Sequence, residues 1–313
     1  MRSWTLTATL VAALIAGCAT VPVNLPSVTE TPTGMQLPGK IIWHDLITDQ
    51  PQASKKFYGE LFGWEFESVG PNFGSVASAN YTLIRHHGRL IGGMVDQSRL
   101  QTTLDISQWV VLLSVRDINR SVQTLRAAGG TVYTPPTELA DRGHIAVVAD
   151  PQGALFALLQ TKDGDPVDAP PGNGDFLWNE LWASDVDAAS TFYRSLADYD
   201  AASRPIDDTR SYHYLATGGT PRIGILANPI EDLKPIWVTY VRILDAESLD
   251  RVVARVPELG GEILLAPEDR DIGGRVALIA DPSGAGIALQ TWPDQVVVDA
   301  MSTMHMVNQE HIQ

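Results

Sequence analysis

The chain has 313 residues, 37 of them acidic and 22 Lys or Arg, for a formal net charge of -15. A hydrophobic content of 44% with 19% charged residues excludes a disordered chain, and the length suits two ordinary domains with sizeable cores. The acidity argues against nucleic acid or an anionic membrane surface as a partner, since both would be repelled; among ligands it mildly favours a cation, but plain solubility is the better account of it.

Met1 and Arg2 form a short basic start, and residues 6–16 form an apolar run too short to span a bilayer. The run ends in Leu14-Ile15-Ala16-Gly17-Cys18, which resembles the lipobox of bacterial lipoproteins. That resemblance implies export, acylation of Cys18 and a cell-envelope location, with membrane contact through the lipid alone. Ala19, in place of Asp, implies the periplasmic face of the outer membrane in a Gram-negative host. Cys18 is the only cysteine, so no internal disulfide forms. Residues 1–17 read as signal peptide and 18–39, rich in Pro, Thr and Val, as an extended tether.

Residues 41–64 hold a strand, a turn and a helix, and a shorter echo follows at 176–196. Alternation places Trp43 and Asp45 on one strand face, and likewise Trp178 and Glu180. Ala53, Phe57 and Leu61, like Ala188, Phe192 and Leu196, form a helical stripe, with Asp49 and Asp185 as expected N-caps. Next come a hairpin, 81–85 with 90–95, closed by His86-His87-Gly88-Arg89, and a strand at 109–115. Asp117 then caps a helix striped by Ile118, Val122 and Leu125 and stopped by Gly129-Gly130. Two further strands flank Asp150-Pro151-Gln152-Gly153, whose residues suit a type I turn. The second half repeats the plan after a Pro/Gly/Asp linker. The units read as domain 1 (40–163), linker (164–174), domain 2 (175–293) and tail (294–313), an α+β protein of four βαβββ modules.

Phe57-Tyr58 with Phe62-Gly63-Trp64, Phe192-Tyr193, and the turns at Asp150 and Asp281 resemble the vicinal oxygen chelate superfamily, which includes glyoxalases, bleomycin resistance proteins and extradiol dioxygenases. The resemblance implies two half-barrel domains, each around a cleft that in many members holds a divalent metal. It places metal ligands at Trp43 and Trp178, at Val110 and Val238, at Ala157 and Ala288, and near 92–94 and 223–226. None of these offers a donor for Mg, Zn, Ni or Fe, so both clefts are expected to be metal-free.

The candidate ligand-binding residues are Trp43, Asp45, Tyr81, Trp178, Glu180, Tyr212 and Tyr240, with Trp182 as a further lining aromatic. Asp45 and Glu180 suit a general base or a seat for a cationic group, or else pair with an Arg. His44 faces the helices, His86 and His87 form an exposed turn, and His144 and Arg275 pair across the sheet. No nucleophilic triad, phosphate loop or nicotinamide fingerprint occurs, and no catalytic residue is assigned. Three classes stay open: a small-molecule-binding module, a metal-dependent lyase or dioxygenase with rearranged ligands, and a structural envelope protein. No cofactor is expected in the clefts; Met301, Met304, His305 and Met306 offer soft donors for Cu(I) in the tail.

Overall fold

A computed structural model describes residues 25–69, 81–100, 104–208 and 210–292. Cys18, the expected signal peptide and the Met/His tail lie outside them. Domain 1 runs β1 (Ile41–Thr48), α1 (Pro51–Phe62), β2 (Glu65–Ser68), β3 (Tyr81–His86), β4 (Arg89–Asp96), β5 (Gln108–Ser114), α2 (Ile118–Ala127), β6 (Thr131–Glu138), β7 (Gly143–Ala149) and β8 (Leu155–Thr161). Domain 2 runs β9 (Phe176–Ala183), α3 (Val186–Leu196), β10 (Asp200–Pro205), β11 (Ser211–Thr217), β12 (Thr220–Ala227), β13 (Ile236–Ile243), α4 (Ala246–Arg255), β14 (Glu262–Asp269), β15 (Arg275–Ala280) and β16 (Gly286–Thr291).

Each domain is one eight-stranded sheet, ordered β2-β3-β4-β1-β5-β8-β7-β6 and β10-β11-β12-β9-β13-β16-β15-β14. Within each βαβββ module the first strand pairs in parallel with the last, and the two modules join through an antiparallel central pair, β1 with β5 and β9 with β13. Three of the four helices start on an Asp whose side chain accepts an N-terminal amide: Asp117, Asp185 and Asp245. The helix α1 differs. Gln50 holds its cap position without a side-chain bond, and Pro51 begins the helix, so Asp49 is not the cap. Phe57, Leu61, Phe192 and Leu196 of the expected stripes are buried, but the first position of each stripe is one residue on, with Ser54 and Ala189 buried in place of Ala53 and Ala188.

The two sheets turn their helical faces toward each other. One core joins α2 and β5 to Phe192, Tyr193 and Trp237; the other joins Phe57, Tyr58 and Trp109 to Val241, Leu249 and Val253. At the centre His44, buried and stacked on Phe176, meets Asn179 Oδ1 at 2.9 Å. The repeated motifs build this seam. Asp150 Oδ1 accepts the amides of Gln152 and Ala154, closing its own turn, while Oδ2 accepts from Tyr193 of the other domain at 3.1 Å. Asp281 does the same, with Ser54 of α1 donating to its Oδ2 at 2.7 Å. The indole N–H of Trp109 donates to Tyr58 and that of Trp237 to Tyr193, completing each side.

Two expected connectors are structural. The linker's Asp165 is fully buried, accepting from Leu37 N, Ser114 Oγ and Thr161 Oγ1, and so ties the N-terminal segment to β5 and β8. The tether, as far as it is described, is packed: Leu25 and Val28 are 5% and 2% exposed against domain 1. His86 is a further correction. It is buried at the end of β3, with Nδ1 2.7 Å from Asp175 Oδ1, and only His87 takes the exposed turn position, with φ 50.

Candidate functional site

The sheet faces turned away from the seam carry the residues of interest. In domain 1, Trp43 and Asp45 stand side by side on β1, and Tyr81 reaches them from β3. Tyr81 donates to Asp45 Oδ1 at 2.5 Å and accepts from Trp43 Nε1 at 2.8 Å and from Arg142 Nη1 at 2.7 Å. The Arg142 guanidinium lies over both rings, 4.5 Å from the Trp43 centroid and 5.0 Å from that of Tyr81. Burial pushes the Asp45 carboxyl above its usual range, against the pull of Arg142 and of the Tyr81 and Trp43 donors.

Domain 2 rebuilds the arrangement with one more hydroxyl. Glu180 is fully buried; Oε1 accepts from Tyr212 at 2.6 Å, Oε2 accepts from Tyr240, and Arg270 Nη2 reaches the two oxygens at 2.8 and 3.0 Å. Trp178 Nε1 donates to Tyr212 at 2.7 Å. Arg270 Nη1 donates to Gln290 Oε1 at 2.7 Å, while the buried Gln290 Nε2 has no hydrogen-bond partner among the described residues. Burial, and after it the nearby carboxylate, pushes the Tyr212 and Tyr240 hydroxyls well above their usual range.

All seven candidate residues therefore gather at the two floors, Trp178, Tyr212 and Tyr240 around Glu180 and Trp43 and Tyr81 around Asp45. Arg142, Arg270 and Gln290 were not anticipated. Of the two readings of these carboxylates, pairing with an Arg is the one found at Glu180, which meets Arg270, and the Asp45 oxygen facing Tyr81 is satisfied by Tyr81 and Trp43. His144 does not pair across the sheet. It is exposed beside a hollow of about 330 Å³ lined by Arg116, Asp117 and Gln160, on the helical side, whereas Arg275 does pair across the sheet, with Asp269 of β14 at 3.7 Å, and also with Asp250 of α4 at 3.1 Å.

The strand positions where the resemblance implies metal ligands fit no metal. Trp43 and Trp178 are engaged as donors, Val110, Val238, Ala157 and Ala288 have no donor atoms, and Gly93 and Gly224 fall where β4 and β12 pass the floors. A Cβ on Gly93 would lie 1.9 Å from the Tyr81 hydroxyl oxygen, and one on Gly224 would lie 2.1 Å from that of Tyr212. The tyrosines thus fill the space a ligating side chain would need. Among the described residues no three His, Cys, Asp or Glu side chains converge. The charge facing each carboxylate comes from a guanidinium.

A glyoxalase-like domain family matches residues 42–159, and the Glyoxalase/Bleomycin resistance protein/Dioxygenase superfamily matches residues 176–289. The chain belongs to this superfamily. Two such domains in tandem make up its described body, and the α+β class agrees. It is 28% identical to the protein named "Putative glyoxylase CFP32" of Mycobacterium tuberculosis (strain CDC 1551 / Oshkosh), over 78% of this chain and 91% of that one. It is 29% identical to the anthracycline biosynthesis protein DauV of Streptomyces sp. (strain C5), over 80% and 93%. The Mn(II)-bound glyoxalase of Novosphingobium aromaticivorans shares the fold, with a TM-score of 0.55 and 17% identity over 82% of this chain and 83% of that one.

Proposed function

We propose that the protein is a lipid-anchored, metal-independent small-molecule-binding member of this superfamily, and that its ligand site is the cleft of domain 2. The observation that carries the reading is a difference in cover between equivalent positions. Ile42, Trp43 and Ile47 are 7%, 1% and 4% exposed, whereas their counterparts Leu177, Trp178 and Trp182 are only half-buried. Leu264 and Leu265 on β14, the edge strand of the same sheet, are also exposed, at 49% and 37%. Aromatic and aliphatic side chains left partly uncovered around a few fixed polar groups are the usual lining of a small-molecule site.

The floor sets the ligand's chemistry. Glu180 and Arg270 cancel in charge, so a charged ligand finds no free counter-ion there, and the Gln290 amide offers one buried donor. A flat, uncharged molecule that stacks on indole and presents an oxygen acceptor fits these groups. The relative named for anthracycline biosynthesis supports a planar polycyclic ligand.

The test uses the mature chain and 1,8-dihydroxyanthraquinone as probe. Saturable quenching of tryptophan emission is expected, unaffected by EDTA and weakened at least tenfold by Trp178→Ala. Binding that requires added Mn or Zn would replace this reading with the metal-dependent enzyme, and equal binding by the Trp178→Ala protein would move the site. The anchor is tested separately. Cys18→Ser should abolish palmitate labelling and release the protein from the membrane fraction; unchanged labelling would refute it.

A further inference from the structure

The cleft of domain 1 is closed by its own chain. Leu25 and Val28 pack into the cluster formed by Trp43, Tyr81, Leu139 and Ile145. Leu25 N reaches Leu139 O at 3.4 Å, and the carbonyl of Pro26 accepts from Arg142 Nε at 3.0 Å. Glu30 then pairs with Arg85.

Arg142 is only partly satisfied by this arrangement. Its side chain is 1% exposed; Nη1 is spent on Tyr81, Nε on the Pro26 carbonyl, and Nη2 has no hydrogen-bond partner among the described residues. Nε and Nη2 form one edge of the guanidinium, the edge that grips a carboxylate through two parallel bonds. A single carbonyl oxygen occupies half of it. The contrast with domain 2 is informative: Arg270 pairs directly with Glu180, whereas Arg142 meets Asp45 only through the Tyr81 hydroxyl, and no carboxylate pairs with it directly among the described residues. A buried guanidinium with an unfilled donor is costly unless a partner is supplied.

We propose that the domain 1 cleft is a second binding site, for an apolar carboxylic acid, and that residues 25–30 are a displaceable strap lying in it. The carboxylate takes the Nε/Nη2 edge of Arg142 in place of the Pro26 carbonyl. The apolar body replaces Leu25 and Val28 against Trp43, Tyr81 and Ile145. The site is separate from the domain 2 cleft and stands or falls independently of it.

Benzoate is the probe, titrated calorimetrically into the mature chain and into a Leu25→Asp/Val28→Asp variant whose fold is checked by circular dichroism. The variant should bind at least tenfold more tightly than the wild type, because it no longer competes with its own strap. Adding Arg142→Lys, which keeps the charge and loses the fork, should remove at least tenfold of that affinity. In the wild type, saturating benzoate should speed proteolytic cleavage within residues 25–30, a readout that does not depend on any variant folding. No benzoate binding by the folded variant, binding indifferent to Arg142→Lys, or strap cleavage unchanged by benzoate would each overturn the proposal.

Discussion

At the scale of single residues, the buried charges are the most exposed to test. Glu180 is fully buried and Arg270 is 14% exposed, so the pair exists only because each desolvated charge meets the other and the tyrosine hydroxyls complete the shell. Arg270→Met should cost about 3–5 kcal/mol by leaving a buried carboxylate without its counter-charge. Glu180→Gln/Arg270→Met together should cost less than Arg270→Met alone, as read by urea denaturation. His44 carries a pH dependence. Burial pushes its pKa down from 6.5 to about 4, against the support of Asn179. A depressed histidine favours the neutral form in the fold, so its stabilisation is full above pH 6.5 and is lost as pH falls toward 4. The difference amounts to about 3 kcal/mol. Unfolding midpoints of wild type and His44→Gln should therefore converge between pH 6.5 and 4, and parallel curves would refute the assignment.

At the scale of elements, the ties between each turn and the opposite helix deserve the same scrutiny. Ser54→Ala takes a donor from Asp281 Oδ2, a carboxylate whose pKa burial already pushes up, and should cost about 1.5–3 kcal/mol. Tyr193→Phe does the same to Asp150 from the other side, and chemical denaturation of each variant checks both. Strand and helix order was legible in the sequence because alternation and four-residue stripes survive translation into a sheet with helices on one face. The faces of Trp43/Asp45 and Trp178/Glu180 were legible for that reason. Arg142 and Arg270 were not, because the cations enter from non-equivalent places in one turn. Leu139 and Arg142 bracket it in domain 1, Arg270 and Gly273 in domain 2, so a repeat alignment sets each arginine against a non-arginine. That alignment led instead to His144 and Arg275, which face the helices. The α1 cap was missed because Pro51 removes an amide that Asp49 would have had to satisfy. The strap was missed because Leu25 and Val28 lie in a stretch without period, and only the cleft beneath explains why they are apolar.

At the scale of the whole molecule, the two halves are not independent. Each of the two main cores takes side chains from both domains, and α1 buries Phe57 and Tyr58 in a cluster shared with β13 and α4. A chain cut between 164 and 165 would bare both apolar faces. Separate expression of 25–164 and 165–292 should give poorly folded halves that regain native circular dichroism on mixing. The intact chain should melt in a single calorimetric transition. Two resolved transitions would show that the seam contributes little.

The strap also sets a distance. If Cys18 carries the proposed lipid, Leu25 lies only seven positions further along the chain, which at about 3.4 Å per extended residue would hold the rim of the first cleft within about 25 Å of the membrane. Thr33 is the next fixed point, bonded through its amide to Asp163 O at 3.0 Å. Lifting residues 25–30 out of the cleft would lengthen the leash to fifteen residues and about 50 Å. Occupancy of an acid-binding pocket would then be converted into reach, and the open second cleft would travel outward with the whole body each time the first is filled.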